Sequence, residues 1–248
     1  MVSWDPHGVE RLESIRDSLV KVGLTDFVRE AAAEVWRANR DRHEPEELFD
    51  NALTLGVQST INLANRVFAH VSGSTRWLSA GVRASREHTA TVLHVGGLDI
   101  RLVKAPHRAG RRPNFVTDFD WHNREARQSA AARNHAAYGP PARRPDMETL
   151  FEVDHPGAEQ AAQRCRDVFL VWGAELASGL TAGWLGLPTT SANRWLAVTP
   201  SWWDEPSPAA VTTDSNGPLP GEGPAFGDKP APKPAITLKP RREEGNAQ

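Results

Sequence analysis

Two short runs of alternating apolar and polar residues meet at the dipeptide Gly96-Gly97. Glycine accepts the positive φ angles that a two-residue hairpin turn requires, so the sequence predicts a β-hairpin here. Such a turn fixes the register of the two strands, which pair as Val95 with Leu98, His94 with Asp99, Leu93 with Ile100 and Val92 with Arg101. Because side chains alternate across a strand, one face of the hairpin is apolar and the other is polar.

The predicted pair of His94 and Asp99 on the polar face is a candidate for general-base catalysis. A carboxylate beside an imidazole fixes the ring tautomer and leaves the other ring nitrogen able to accept a proton. The alternative is structural, because cross-strand pairs of this kind also stabilise hairpins by roughly 0.2–1 kcal/mol. The sequence leaves both interpretations open.

The remaining pattern predicts an α+β fold in one continuous folded unit. Residues 1–73 carry helical apolar stripes and predict an N-terminal helical bundle. Residues 74–203 predict an antiparallel sheet of hairpins with two packed helices. The elements expected there, beyond the first hairpin, are helices over 121–138 and 158–178 and a second hairpin that pairs 180–187 with 194–199.

Residues 204–248 differ in composition from the rest of the chain. They hold nine of the 19 prolines and show no apolar periodicity. Such a segment cannot bury enough apolar surface to offset the entropy of ordering it, so we expect a disordered tail. The tail, with Trp202-Trp203 just before it, is a candidate for binding a protein partner.

The stretch from Asp50 to Phe68 is compatible with a helix-turn-helix motif. Gly56 would lie in the turn between two short helices, one closing at that glycine and one capped by Ser59 or Thr60. The polar side chains that would then face a DNA groove are those of Gln58, Ser59, Asn62, Asn65 and Arg66. The alternative is an ordinary pair of helices joined at a glycine.

Positive charge is concentrated in the middle of the chain. Residues 97–144 hold ten Lys and Arg against four Asp and Glu, a net charge of +6 in a chain whose total is −2. Guanidinium groups match the geometry of phosphate oxygens, so this block is a candidate anion-binding surface. The side chains expected to form it are those of Lys104, Arg108, Arg111, Arg112, Arg124 and Arg127. The alternative is a solvated, Arg-rich loop.

Asp118, Asp120 and His122 alternate in the sequence Asp-Phe-Asp-Trp-His. In an extended segment these three side chains point the same way, and such a set can bind Mg²⁺ or Mn²⁺. With the nearby arginines this pattern is compatible with metal-dependent phosphodiester hydrolysis. The alternative is structural, because an aspartate before a helix commonly caps it.

The chain lacks the common motifs of nucleotide-binding, zinc and serine-hydrolase enzymes, and it has a single cysteine, Cys165. We find no signal peptide and no transmembrane run, and we therefore expect a cytoplasmic protein that does not enter membranes. The favoured function is non-enzymatic binding of a phosphate-bearing partner, above all nucleic acid, through the Arg-rich loop. No cofactor is expected unless the metal-dependent alternative holds, in which case the metal is Mg²⁺ or Mn²⁺. The oligomeric state stays open.

Overall fold

A computed structural model describes residues 4–88, 90–106, 111–121, 124–139 and 157–206. The helices are α1 (Pro6–Lys21), α2 (Leu24–Arg40), α3 (Ala52–Ser72), α4 (Thr75–Ser79), α5 (Glu125–Tyr138) and α6 (Ala158–Arg164). The strands are β1 (Val82–Glu87), β2 (Ala90–Val95), β3 (Leu98–Lys104), β4 (Asp167–Ala174), β5 (Thr181–Pro188) and β6 (Trp195–Trp203). The α+β class is thereby confirmed.

The six strands form one sheet in the order β1-β2-β3-β4-β5-β6. The first predicted hairpin is confirmed in register, since β2 and β3 pair His94 with Asp99 and Val95 with Leu98. The second predicted hairpin is also present, as β5 and β6. The expectation of a purely antiparallel sheet is wrong at one point, because β3 and β4 run parallel and pair Asp99 with Asp167.

The predicted helix over 158–178 is wrong beyond its first two turns. Helix α6 ends at Arg164, and the chain turns extended at Cys165 to enter β4. All eight residues of β4 are buried, because the strand lies between β3 and β5 and both of its faces are covered. A continuous apolar run of this kind does not distinguish a buried strand from a buried helix by its periodicity.

Both interpretations of the stretch from Asp50 to Phe68, the helix-turn-helix motif and the pair of helices joined at a glycine, are wrong, because α3 runs without a break from Ala52 to Ser72. Asn51 caps its start, since its side chain accepts hydrogen bonds from the N–H groups of Leu53 and Thr54. Gly56 lies inside the helix. A helical glycine costs about 1 kcal/mol relative to alanine, which capping and the packing of a 21-residue helix can offset.

Helices pack against both faces of the sheet. Helices α1 to α3 pack on one face, where their apolar stripes bury Leu93, Ile100 and Leu170. On the other face, α5 and the segment 111–121 enclose Phe169, and an aromatic cluster there joins Phe115, Phe119, Trp121, Trp184 and Trp195. The N-terminal helices therefore form a layer of the sheet domain, and Met1–Pro206 is one compact unit.

The described part of the chain includes the first three residues of the predicted tail, 204–206. Asp204 accepts a hydrogen bond from Arg29 Nε at 2.6 Å and another from Thr181 Oγ1 at 2.6 Å. These contacts attach the residue to α2 and to the start of β5. Residues 207–248 and the tail interactions predicted for them lie outside the described residues.

Candidate active site

Three polar side chains form a hydrogen-bonded chain across the first three strands. Ser85 Oγ lies 2.7 Å from His94 Nε2, and His94 Nδ1 lies 2.7 Å from Asp99 Oδ1. The carboxylate accepts from Nδ1, which assigns the ring proton to that nitrogen and leaves Nε2 to accept from the serine hydroxyl. The predicted pair of His94 and Asp99 is therefore present. The second ring nitrogen of His94 is bonded to a serine hydroxyl, a group that acts as a nucleophile in many enzymes.

Strand register explains why these three side chains meet. His94 and Asp99 are direct partners in the β2–β3 pair, and Arg83 is the partner of His94 in the β1–β2 pair. Ser85 lies two residues beyond Arg83 on β1, so it is a diagonal neighbour of His94 on the same face. The opposite face of β1 points into the core through Val82.

The site is open to solvent. The side chains of His94 and Asp99 are 42% and 41% exposed, and that of Ser85 is partly buried. Arg83, on the same face of β1, is exposed and has no carboxylate within ion-pair distance among the described residues. The His94–Asp99 pair is therefore accessible to solvent, and a guanidinium group lies on the same strand face as Ser85, two residues away.

A buried ion network lies beside the chain of three residues. Arg101, only 6% exposed, donates to Glu87 Oε2 at 2.8 Å and to Asp167 Oδ1 at 2.6 Å. Arg133 of α5 donates to both oxygens of Asp167, at 2.6 and 2.9 Å. The pKa of Arg133 is raised, chiefly by its hydrogen bond to Asp167 and also by the charges of Asp99 and Glu87. The network joins α5 to β3 and β4 and anchors the strand that carries Asp99.

The predicted anion-binding residues do not share one surface. Lys104 Nζ lies 4.9 Å from the ring centroids of both Trp36 and Trp172, on the α1–α3 side of the sheet. Burial there lowers the pKa of Lys104 to about 8. Arg111 packs 4.1 Å from the Trp203 ring centroid and donates to the carbonyl of Asp204. Both side chains are engaged in packing.

The other members of that predicted set lie elsewhere. Arg112 is exposed, and Arg108 lies outside the described residues. Arg124 is the N-cap of α5 and Arg127 lies in its first turn, on the sheet face opposite Lys104. The pKa of Arg127 is lowered to about 10, first by burial and then by the charge of Arg124. Within the described ranges neither has a carboxylate at ion-pair distance.

The aspartates of the predicted metal set have other contacts. Asp118 closes a turn by accepting from the N–H of Asn114 at 2.9 Å, and Asp120 lies 3.7 Å from Arg194 Nη2. His122 lies outside the described residues. No group of three His, Cys, Asp or Glu side chains that could hold a metal ion occurs in the part of the chain that the structure describes.

Ser85 is the member of the site that sequence reasoning missed. The signal was present in Val-Arg-Ala-Ser-Arg-Glu, residues 82–87, whose alternation is that of a half-buried strand. Recognising β1 would have added a third strand to the hairpin and placed Ser85 on the face of His94.

A cleft of about 360 Å³ lies near the site but does not include the serine. It is formed by the end of α3, by α4 and by the start of β1, and Arg83 is the residue that it shares with the site.

None of the described helices is both long enough and apolar enough to span a bilayer. The chain matches no protein-family model, no curated protein and no solved structure.

Proposed function

We propose that this protein is a hydrolase that uses Ser85 as a nucleophile toward carboxylic esters. The observation that carries the proposal is the chain from Ser85 through His94 to Asp99, with both hydrogen bonds at 2.7 Å. A nucleophile bonded to a base that a third group orients is the geometric pattern of nucleophilic catalysis on unrelated folds. The serine lies on a strand and not on the sharp turn found in some of those folds, so the pattern is judged by its geometry alone.

The roles follow from the hydrogen-bond directions. Ser85 Oγ attacks the carbonyl carbon of the ester while His94 Nε2 takes the hydroxyl proton. Asp99 stabilises the imidazolium that forms, and the same ring then donates its proton to the departing alcohol. Water, activated by His94, attacks the acyl-serine, so the acid leaves and the serine regains its proton.

Arg83 supports a preference for negatively charged transition states and substrates. The tetrahedral intermediate of acyl transfer carries an oxyanion, and a nearby cation or donor stabilises it. Arg83 is the exposed guanidinium on the same strand face, directly opposite His94 in the register. We also propose a cytoplasmic location, because a single cysteine, Cys165, fits a reducing compartment.

The Ser85→Ala variant tests the proposal. We expect wild-type protein to hydrolyse p-nitrophenyl acetate with saturation, and Ser85→Ala to lose about 10³-fold in kcat/KM, because the acyl-serine cannot form. The matched control is Ser178→Ala, since Ser178 is an exposed serine whose hydroxyl bonds to Glu175 without an imidazole. Equal rates for wild type and Ser85→Ala would reject the proposal.

A second candidate function is binding of a phosphate-bearing partner, with nucleic acid favoured, at the start of α5. The specific observation is that Arg124 and Arg127 lie together without an acidic partner among the described residues. Burial and mutual repulsion disfavour the charge of Arg127, and a bound phosphate would offset both. The N-terminal N–H groups of α5 add to the attraction.

The double variant Arg124→Ala/Arg127→Ala tests the second candidate. We expect its affinity for a labelled single-stranded oligonucleotide, measured by fluorescence anisotropy, to fall at least tenfold. The slope of log K against log salt should flatten by about 1.5, because two phosphate contacts are lost. Arg16→Ala/Arg37→Ala removes the same charge from helices α1 and α2 and is the control. Equal losses in both double variants would contradict a site at α5.

A further inference from the structure

The first half of α3 carries an apolar stripe that no described residue covers. Leu53, Val57 and Ile61 follow one another at helical spacing and are 73%, 51% and 41% exposed. In the second half of the same helix, the corresponding positions Ala64 and Val71 are buried. The first half of α3 meets the core through Leu55 and Ser59 instead, so the apolar stripe lies on another side of the helix and stays outside the core.

Two more exposed apolar residues lie in the connector just before the helix. Leu48 is 68% exposed, and Phe49 is 80% exposed in a backbone conformation with φ of 54°. The five side chains expose an apolar area of roughly 500–600 Å², as large as the largest patch on a typical monomer. We call Leu48, Phe49, Leu53, Val57 and Ile61 the α3 stripe.

The composition of the helix around the α3 stripe is that of an interface. From Ala52 to Asn65 the helix carries no charged residue, and charged residues are depleted in the centres of protein interfaces. Gly56 lies beside Val57, and a Cβ built there would meet nothing within 4 Å. Packing within the described chain therefore does not explain why a glycine stands at position 56 of this helix. A second helix that approaches the backbone closely would explain it.

We propose that the α3 stripe is the contact surface of a homodimer in which two α3 helices pack antiparallel about a two-fold axis at Val57. In that arrangement Val57 meets Val57, and Leu53 of each protomer meets Ile61 of its partner. A two-fold interface must be self-complementary, and the helical part of the stripe satisfies this requirement because Leu53 and Ile61 are equally spaced about Val57.

Charge at the two ends of α3 favours a second copy in the antiparallel direction. The connector before the helix carries Glu44, Glu46, Glu47 and Asp50. Arg86 donates to Asn65 Oδ1 at 2.7 Å, and Asn65 lies eight residues after Val57, as Phe49 lies eight residues before it. Antiparallel packing brings each acidic connector to the partner's Arg86, whereas parallel packing brings the two acidic connectors together.

Cysteine cross-linking of the full chain tests the dimer and its axis. In Val57→Cys, oxidation should link the two copies through a disulfide, because the two Cβ atoms meet at the axis. Val20→Cys, at a 49% exposed site on α1, is the control. The native Cys165 adds little background, since it is fully buried and burial raises the pKa of its thiol to about 11.

We expect at least tenfold more linked dimer from Val57→Cys than from Val20→Cys. Leu53→Cys should link poorly to itself and well when mixed with Ile61→Cys. In analytical ultracentrifugation the wild type should sediment as a dimer, and Val57→Glu should raise the dimer Kd at least tenfold without loss of helicity. A wild-type protein that is monomeric at about 100 µM overturns the proposal. The stripe would then belong to another occupant, such as residues 207–248. A dimer whose Val57→Cys form links no better than the control overturns it equally.

Discussion

His94→Ala is expected to lower kcat/KM for ester hydrolysis by about 10³-fold while leaving the fold intact. The imidazole accepts the proton of Ser85 and later protonates the leaving alcohol, so its loss removes both proton transfers. The side chain is 42% exposed and lies outside the apolar core, so its truncation should change the unfolding free energy by no more than about 1 kcal/mol. His70→Ala, at an exposed site on α3, is the control and should keep the wild-type rate.

The three residues should act as a unit and not as separate contributors. Ser85→Ala/His94→Ala should be about as slow as either single variant, because each change alone already disables the same chain of proton transfer. Asp99→Asn should also be slow, because an amide can stabilise the wrong tautomer of His94. If the losses in the double variant multiplied, the two residues would contribute independently and the proposed chain would be contradicted.

Asp167→Ala is expected to destabilise the protein by about 3–5 kcal/mol in urea unfolding. The carboxylate is 2% exposed and is the shared acceptor of Arg101 and Arg133. Removing it leaves the buried guanidinium of Arg101 with Glu87 alone, and a buried charge that loses its partner is costly.

Glu87→Ala provides the comparison within the same network. Its side chain is 33% exposed, so water can replace it as a partner of Arg101, and the loss should be about 1 kcal/mol or less. A cost for Asp167→Ala that is no larger than this would show that the network contributes little. The ratio of the two losses in unfolding free energy therefore tests how much the buried carboxylate of Asp167 contributes.

Local turn chemistry explains which strands could be predicted. Gly96 and Gly97 both adopt positive φ, at 56° and 81°, so the register of β2 and β3 follows from four consecutive residues. Strand β4 could not be found in the same way, because it pairs in parallel with β3 (Asp99 with Asp167) and nothing local marks a partner 68 residues away. Its two buried faces also remove the alternation that marks a half-buried strand.

Only part of the candidate site could be predicted, because only part of it depends on a local turn. His94 and Asp99 lie within one hairpin, whereas Ser85 joins them through a diagonal contact with the edge strand β1. The basic residues show that nearness in sequence can also mislead. Lys104 and Arg127 belong to the same basic block of the sequence, yet the sheet separates them, because Lys104 faces α2 and Arg127 belongs to α5. Sequence proximity does not indicate on which side of a sheet a side chain lies.

Covalent labelling with diisopropyl fluorophosphate, followed by peptide mass spectrometry, tests the central claim most directly. Attack by Ser85 Oγ on phosphorus forms an O–P bond and releases fluoride, so the adduct records nucleophilicity without any assumption about the natural substrate. We predict a single adduct on Ser85, formed at least 100-fold more slowly in His94→Ala and at the wild-type rate in Ser178→Ala. An unlabelled Ser85, or labelling that His94→Ala leaves unchanged, would contradict the assignment of this serine as an activated nucleophile.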